Sequence, residues 1–360
     1  MIRDDLSKIK FLVLKNKFAT KVSSHIFKFL SLSIFKNKRL CLAYDSKKLQ
    51  DGIGAQLQRI ISIKALSETL ACSYQHNFIS DFDEAVFNNY DTDRKKTLID
   101  SWKNLLNLKD TKFRFSLTLK YSPNHFVSLL VLRFITKVTF IRIRLLIALP
   151  SPLLDKQPQL YKFCGNYLKK KDFKKNSKVQ IVVHIRRGEV LLSQFHDRYL
   201  PYDYYENIVA CVVEALVFFK IEYELHVLIE SITNPVLSKN SDKVQNSLQA
   251  NPANPFLKSL ADGNFELLDE ILMEDSYPFL LSGNLIRNNN AFSDFKLMCA
   301  ADILLISKSS FSFTAGLLNE GALKIYHPFW HKPSDDWVAD DMIQGSTLST
   351  VGVWLKNRNL

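Results

Sequence analysis

Short apolar runs alternate with amphipathic segments through the second half of the chain. The runs are too short for helices and are bounded by polar residues, so each predicts a buried strand. The predicted elements are strands at 179–185, 223–229, 303–307 and 322–326 and helices at about 202–219, within 240–273 and at 311–320. Strands that alternate with helices indicate a parallel sheet with helices on both faces.

The first half begins with a related pattern. An apolar run at 39–44 predicts a strand, and a glycine-containing loop at 51–54 follows it. Residues 56–71 carry apolar side chains at nearly helical spacing, and 72–76 predicts a second strand. This Rossmann-type unit has neither the third glycine of a dinucleotide-binding loop nor the Gly-Lys-Ser/Thr of a P-loop. Residues 80–125 predict only mixed helix and loop.

The length of the chain and a linker-like stretch near its middle predict two domains. A chain of 360 residues is longer than one hydrophobic core usually organises. The Lys-rich, apolar-poor stretch at 166–178 predicts a linker. We therefore expect an α/β protein that has Rossmann-like domains at 1–165 and 179–334, followed by a C-terminal segment at 335–360.

The positive charge is concentrated in two regions. Residues 1–50 contain 12 Lys/Arg against 3 Asp/Glu, and residues 121–180 contain 12 against 2, so the rest of the chain is net acidic. Such clustering favours an anionic partner, either a membrane surface or an acidic or lipid-linked glycan. Nucleic acid is disfavoured, because no nucleic-acid fold signature accompanies the charge. Lys-rich solvated faces are the simpler interpretation of the charge. This interpretation and an anionic partner both stay open.

Cysteines and targeting signals indicate the compartment. The five cysteines are scattered, without metal-type spacing, and Cys41, Cys211 and Cys299 lie in apolar runs, so we expect buried thiols in a reducing cytoplasm. No secretory signal is evident, because Asp4 and Asp5 interrupt the basic start. The apolar stretch 126–149 contains four cationic residues, so we expect a basic amphipathic element, packed on the domain or lying on a membrane, and no membrane span.

A serine-rich turn follows the predicted strand 303–307. Ser309, Ser310 and Ser312 lie where the next helix should begin, and Gly321 ends that helix. Backbone N–H groups, hydroxyls and the helix dipole together attract an anion at such a start. An ordinary helix cap is the alternative.

Another predicted strand ends in His184-Ile185-Arg186-Arg187-Gly188. His184 and Arg186 share one face of the strand, because side chains alternate, whereas Arg187 points the other way. Guanidinium groups bind phosphate through a planar fork, and the glycine allows a sharp turn. Together with the serine turn, this motif predicts a diphosphate site. The alternatives are a surface ion pair for Arg186 and a hydrogen-bonded core position for His184.

These segments resemble the fucosyltransferase superfamily that uses GDP-fucose, whose members carry a His-x-Arg-Arg-Gly-Asp motif. The match is most detailed to its α1,2-fucosyltransferase branch, whose late motif aligns without a gap from Asp294 through Asn319. Leu200-Pro201 with Tyr204-Tyr205 is similar to the segment that follows the arginine motif in that branch. Gly52, Gly54 and Gln56 resemble the N-terminal Gly-x-Gly-x-Gln loop of the family.

The resemblance implies a GT-B fold, in which two Rossmann-like domains face a cleft, with the acceptor on the first domain and the GDP-sugar on the second. The segment 335–360 would then cross back to the first domain. It implies an inverting transfer of fucose from GDP-fucose to a saccharide acceptor in surface-glycan synthesis, with neither metal nor cofactor. Arg186 would be catalytic and Asp294 would bind guanine. The other substrate-binding positions implied are His184, Arg187, Gly188, Ser309, Ser310, Ser312, Gly52, Gly54 and Gln56.

Several positions depart from the family pattern or remain unassigned. Glu189 replaces the motif's Asp, Leu228-Ile229-Glu230-Ser231 stands where Ser-Asp-Asp is usual, and Phe313-Thr314 replaces an aromatic pair. The linkage and the acceptor therefore stay open. The general base also stays open among Glu189, His76, Asp197 and Glu230.

Alternative interpretations apply to two Asp-x-Asp pairs, to Asp294 and to the function of the whole chain. Asp81/Asp83 and Asp91/Asp93 could hold a metal, but nothing else supports it, so we interpret them as solvated loop carboxylates. Asp294 could instead be the N-cap of a helix at 295–301. The rival functions are a GT-B glycosyltransferase with another donor or linkage and a non-catalytic protein that binds polyanions.

Overall fold

The computed structural model describes residues 37–46, 52–77, 92–108, 114–121, 126–150, 158–168, 177–187, 197–229, 277–287, 290–333 and 335–358. Contacts divide the chain into two compact units. The first comprises the chain up to Asp51, 56–82 and 107–167, and the second comprises 52–55, 83–106 and 168–360. The predicted helices within 240–273 and most of the basic linker at 166–178 lie outside the described residues.

The first unit contains a four-stranded parallel sheet in the order β2-β1-β4-β3. The elements up to the linker are β1 (Asn37–Tyr44), α1 (Ile53–Thr69), β2 (Cys72–Gln75), α2 (Thr92–Leu105, in the second unit), β3 (Leu117–Tyr121), α3 (Phe126–Val138), β4 (Ile143–Ile147) and a 3-10 helix (Pro158–Tyr167). The predicted strand–loop–helix–strand order at 39–76 is therefore confirmed, although α1 begins inside the predicted loop.

The stretch 126–149 is two elements rather than one amphipathic element. Helix α3 ends at Val138, and the chain then enters β4, which pairs with β1 on one side and β3 on the other. Leu145 and Ile147 are buried in this interior strand, and the guanidinium of Arg144 packs on the Phe115 ring at 3.8 Å from its centroid. The cationic residues that argue against a membrane span also interrupt the apolar pattern, so the sequence did not predict this central strand.

The second unit contains six parallel strands in the order β10-β9-β8-β5-β6-β7. Its remaining elements are β5 (Val179–Ile185), α4 (Tyr202–Phe218), β6 (Tyr223–Ile229), α5 (Pro278–Leu281), β7 (Asn284–Arg287), α6 (Ala291–Ala300), β8 (Ile303–Ile306), α7 (Ser310–Leu318), β9 (Leu323–Tyr326), β10 (Val338–Ala339) and α8 (Asp340–Arg358, kinked at Ser346). The strand and helix bounds predicted for 179–229 and 303–326 agree with these to within two residues, so the parallel α/β pattern is confirmed.

Buried aliphatic residues of β5, α4 and α8 form much of the core of the second unit. The segment 335–358 belongs to this unit, and Val351 and Trp354 of α8 are part of that core. The expected crossing of 335–360 to the first domain stays a prediction. No helix among the described residues is both long and apolar enough to traverse a membrane.

The strand order of the second unit reverses at β5. The chain proceeds from β5 to β6 and β7 on one side, and then returns to build β8, β9 and β10 on the other. In open parallel sheets, ligands bind outside the carboxyl ends of the strands at such a reversal. The α/β class with two parallel-sheet units is thus established, whereas the domain boundaries and the GT-B cleft remain predictions.

Candidate functional site

Two motifs that lie far apart in sequence meet at the reversal point of the second sheet. Strands β5 and β8 are direct neighbours, with Val183 opposite Leu305, so their carboxyl ends lie side by side. His184 Nδ1 and Ser307 Oγ are 2.7 Å apart, which joins the arginine motif to the serine turn across 123 residues. The sequence named both segments, but it did not identify Ser307, the buried residue that connects them.

His184 is held as a neutral imidazole. Burial, helped by the nearby charge of Arg186, lowers the pKa of His184 to about 3. Its ring also lies 5.8 Å from that of Phe311 between centroids. Since Nδ1 is engaged by Ser307, Nε2 is the nitrogen left for a ligand.

Arg186 and Arg187, which follow the end of β5, differ sharply in their surroundings. Arg187 is fully buried, and its Nη1 donates to the carbonyl oxygens of Arg186 and Leu200 at 2.9 and 3.1 Å. Its guanidinium lies over the Tyr202 ring at 4.0 Å from the centroid. Arg186 is partly exposed at the end of β5. Gly188 and Glu189 lie outside the described residues.

The three serines of the turn have different environments. Ser309 is the N-cap of α7, and its side chain accepts from Phe311 N. Ser312 is fully buried, and its Oγ lies 3.3 Å from Ser307 Oγ. Ser310 is partly exposed, and its Oγ lies 3.0 Å from Nε2 of His331. A direct ligand contact thus suits Ser310 best, while Ser309 and Ser312 shape the turn.

Asp294 does not cap its helix. Helix α6 begins at Ala291, four residues earlier than predicted, and Asn290 is its N-cap, whose side chain accepts from Phe292 N. Asp294 is a partly exposed residue within the first turn, where a carboxylate interacts favourably with the helix dipole. The N-cap interpretation of Asp294 was therefore wrong.

The two loop glycines have unequal roles in the structure. A Cβ on Gly54 would lie 2.5 Å from Phe311 Cα and 2.7 Å from Phe311 N, so only glycine permits this approach of residues 52–55 to the start of α7 within the second unit. Thr314 Oγ1 also donates to the Gly54 carbonyl oxygen at 3.0 Å. A Cβ on Gly52 would meet no atom within 4 Å. In the first unit, Gln56 is buried, and its Oε1 accepts from the Tyr44 hydroxyl at 3.4 Å.

Aromatic side chains support the site from within the second unit. The Trp102 ring of α2 packs edge-on against Phe292 and Phe295 of α6, at 5.1 and 5.0 Å between centroids, and Phe295 packs on Phe311. His331 stacks on Phe313 at 4.7 Å between centroids. Neither Trp102 nor His331 was predicted, because each reaches the site from a loop or helix remote in sequence.

The candidate carboxylates and the general base remain scattered. Glu189, Glu230, Asp81, Asp83 and Asp91 lie outside the described residues, and Asp93 belongs to α2. Asp197 is exposed, and its backbone carbonyl accepts from Lys308 Nζ at 3.0 Å. His76 Nδ1 lies 2.8 Å from the Tyr74 hydroxyl in the first unit. In the described part of the chain, no group of three or more His, Cys, Asp or Glu residues could hold a metal ion.

Comparisons with known proteins leave the family open. No protein-family model matches the chain, and no curated protein matches it. Among solved structures, that of E. coli ADP-heptose lps heptosyltransferase II is similar over 89% of this chain and 100% of the other, at 10% identity and a TM-score of 0.34. A likeness at that level carries no argument about fold or function.

Proposed function

We propose that the protein is a glycosyltransferase that moves fucose from GDP-fucose to a saccharide acceptor, with inversion at the sugar carbon and without a metal ion. The observation that carries this proposal is the hydrogen bond between His184 and Ser307. It joins a guanidinium-bearing strand end to a helix start at the reversal point of a parallel sheet, which is where a nucleotide diphosphate binds in such folds.

The proposed donor diphosphate would lie between Arg186 and the start of α7. Backbone N–H groups at a helix start and the Ser310 hydroxyl are anion ligands, and a guanidinium adds a permanent positive charge. When the bond between the sugar C1 and the phosphate oxygen breaks, its electron pair leaves with GDP. A charge already in place at that oxygen can lower the barrier by about 3 kcal/mol, as one oxyanion donor does in other enzymes.

The acceptor hydroxyl would form the new bond from the opposite face of C1. Its proton passes to a base, while GDP departs with the extra negative charge. A neutral His184 suits a binding role better than that of a cation, because its remaining nitrogen can hydrogen-bond a ribose or base atom. Asp294 would accept from the N1–H and N2–H₂ edge of guanine, because an ionised carboxylate can accept two parallel N–H bonds.

The chemistry of the site favours a GDP-sugar, and the resemblance favours fucose, the α1,2 linkage and a surface-glycan acceptor assembled in the cytoplasm. A GT-B enzyme with another donor or linkage would keep the same diphosphate site. A non-catalytic polyanion-binding protein would instead use the basic regions and would not need a buried, neutral His184 beside Arg186.

The test of this proposal compares two adjacent arginines. We expect Arg186→Ala to abolish release of GDP from GDP-fucose in the presence of mixed saccharide acceptors, while its melting temperature stays near that of the wild type. Arg187→Ala should lower the melting temperature, because it removes a buried group that holds two carbonyl oxygens and packs on tyrosine. Any remaining folded Arg187→Ala protein should still turn over donor.

Two results would contradict the assignment. Wild-type turnover by Arg186→Ala would remove the proposed catalytic group. Salt-sensitive binding of heparin by the wild type, with no donor turnover under any acceptor condition, would favour the polyanion-binding alternative.

A further inference from the structure

The first unit exposes large apolar side chains at the amino-terminal edge of its sheet. We call this surface the amino-edge patch; it comprises Phe134, Lys137, Val138, Phe140, Ile141 and Arg142. Phe134 and Phe140 are 67% and 70% exposed, and Val138 and Ile141 are 57% and 45% exposed. Soluble surfaces carry single apolar residues routinely, but four clustered within one short segment mark an interaction surface.

The patch is cationic and lies in a stretch that lacks acidic residues. Residues 111–154 contain seven Lys/Arg and no Asp or Glu. The Arg39 guanidinium of β1 lies over the Phe140 ring at 4.2 Å from its centroid, and its Nη1 donates to the Lys137 carbonyl oxygen at 3.3 Å. Arg142 and Lys38 are exposed beside them. The positive charge is therefore part of the same surface as the apolar side chains.

The patch continues across the edge of the sheet to β3. The backbone N–H groups of Ser116 and Leu117 donate to the Arg142 carbonyl oxygen, at 2.9 and 3.2 Å. Phe115 and Leu117 are 41% and 44% exposed there, and the Arg144 guanidinium packs on the Phe115 ring. Aromatic rings with neighbouring cations thus extend along the starts of β1, β4 and β3.

The backbone at Phe140 is unfavourable for its side chain. Its φ is +60°, in the left-handed region that glycine and asparagine occupy readily and that a bulky aromatic residue rarely adopts. The Phe140 ring is largely exposed, so burial within the unit does little to offset this backbone cost. Such a residue points to a function outside the fold of its own domain.

We propose that the amino-edge patch binds the surface of an anionic phospholipid bilayer. Aromatic and aliphatic side chains would enter the boundary between headgroups and acyl chains, and the surrounding Lys and Arg would pair with lipid phosphates. Charge complementarity selects this occupant. A second copy would bring an equally cationic patch against this one, and a nucleic acid or acidic glycan would leave Val138 and Ile141 without an apolar environment.

The test measures co-sedimentation of the full chain with vesicles. Vesicles that contain phosphatidylglycerol and phosphatidylcholine should bind the protein, and vesicles of phosphatidylcholine alone should bind it much less. Phe140→Gly should weaken binding roughly tenfold, because one aromatic anchor is lost. Arg142→Gln should weaken it roughly fivefold, as expected for one basic residue at an anionic surface.

The variants carry their own controls. Phe140→Gly places glycine at a left-handed position, so its melting temperature should equal or exceed that of the wild type. Phe218→Ala and Lys356→Gln change an equally exposed aromatic residue and an exposed lysine of the second unit, and should bind vesicles as the wild type does. The proposal does not rest on the proposed enzymatic function, because binding to vesicles is measured without donor or acceptor.

Three outcomes would overturn the proposal. Equal binding of wild type and Phe140→Gly to anionic vesicles would remove the patch from the interaction. Heparin or RNA binding that Arg142→Gln weakens and Phe140→Gly does not, without vesicle binding, would identify a polyanion site. Self-association that Phe140→Gly abolishes, again without vesicle binding, would identify an interface between two copies.

Discussion

At the residue scale, His184 couples the candidate site to the stability of the protein. Its pKa is lowered from 6.5 to about 3 by burial and by Arg186, so the folded state keeps it neutral. The unfolded chain binds a proton at His184 below pH 6.5, whereas the folded protein does not until about pH 3. The free energy of unfolding should therefore fall as pH decreases through this interval.

We predict that this one group contributes a slope of about 1.4 kcal/mol per pH unit between those limits. The measurement is urea unfolding of the wild type and His184→Gln at a series of pH values. The difference in unfolding free energy between the two should change with pH below 6.5 and should be constant at higher pH. Parallel curves throughout would mean that His184 titrates as an exposed histidine does.

Local sequence patterns predict the environment of some site residues and not of others. Strand alternation predicts different environments for Arg186 and Arg187, and the structure leaves Arg186 partly exposed and Arg187 buried, although both residues follow the end of β5. The same local reasoning offered a helix cap as the alternative role of Asp294, and Asn290 occupies that position instead. Ser307 could be found only from the structure, because its significance comes from a partner 123 residues away.

At the scale of elements, Gly54 determines how closely residues 52–55 approach the start of α7 within the second unit. The nearest neighbours of a Cβ at this position are backbone atoms of Phe311, which cannot move aside as a flexible side chain can. Gly52, only two residues away, has room for a Cβ and no left-handed φ. Substituting Gly54 and Gly52 separately therefore distinguishes an effect of close packing from an effect of loop flexibility.

We predict that Gly54→Ala lowers the melting temperature by several degrees and weakens the thermal stabilisation by GDP, because α7 must shift. Gly52→Ala should leave both quantities close to those of the wild type. Differential scanning fluorimetry with and without GDP checks the two variants side by side. An unchanged Gly54→Ala protein would show that α7 tolerates displacement, and a damaged Gly52→Ala protein would indicate a direct role for that residue in the bound state.

Which elements sequence predicts depends on how completely they are buried. Strands β5, β6 and β8 were located accurately because uninterrupted apolar runs have few alternatives. Strand β4 was missed because Arg142 and Arg144 flank and interrupt its apolar residues. Strand β7 was also missed, since four residues, of which one is exposed and three are only partly buried, give no clear period.

At the scale of the whole molecule, the order of strands brings the two motifs of the candidate site together. Alternating helices and strands predicted a parallel sheet, but not that β8 lies beside β5 rather than beside β7. That adjacency depends on contacts between distant segments, which local patterns do not encode. The adjacency of β5 and β8 also joins the arginine motif to the serine turn. The sequence therefore points to most residues of the candidate site, but not to the strand order that brings them together.

We predict that donor turnover does not require a divalent metal. Arg186 and the start of α7 would supply the positive charge that a metal ion supplies in many other transferases. GDP release from GDP-fucose, measured with an acceptor pool, should be largely unchanged by excess EDTA. Complete loss that Mg²⁺ or Mn²⁺ restores would instead assign a metal-binding role to Asp81/Asp83 or Asp91/Asp93.

The most direct measurement is a melting-temperature series with GDP, UDP and ADP at one concentration. An ionised Asp294 can accept two parallel N–H bonds from guanine, whereas the N1 of adenine would face it with a lone pair. GDP should therefore stabilise the wild type well beyond UDP or ADP, and Asp294→Ala should lose most of that advantage while still binding diphosphate. Equal shifts for GDP and UDP in the wild type would contradict the proposed donor specificity.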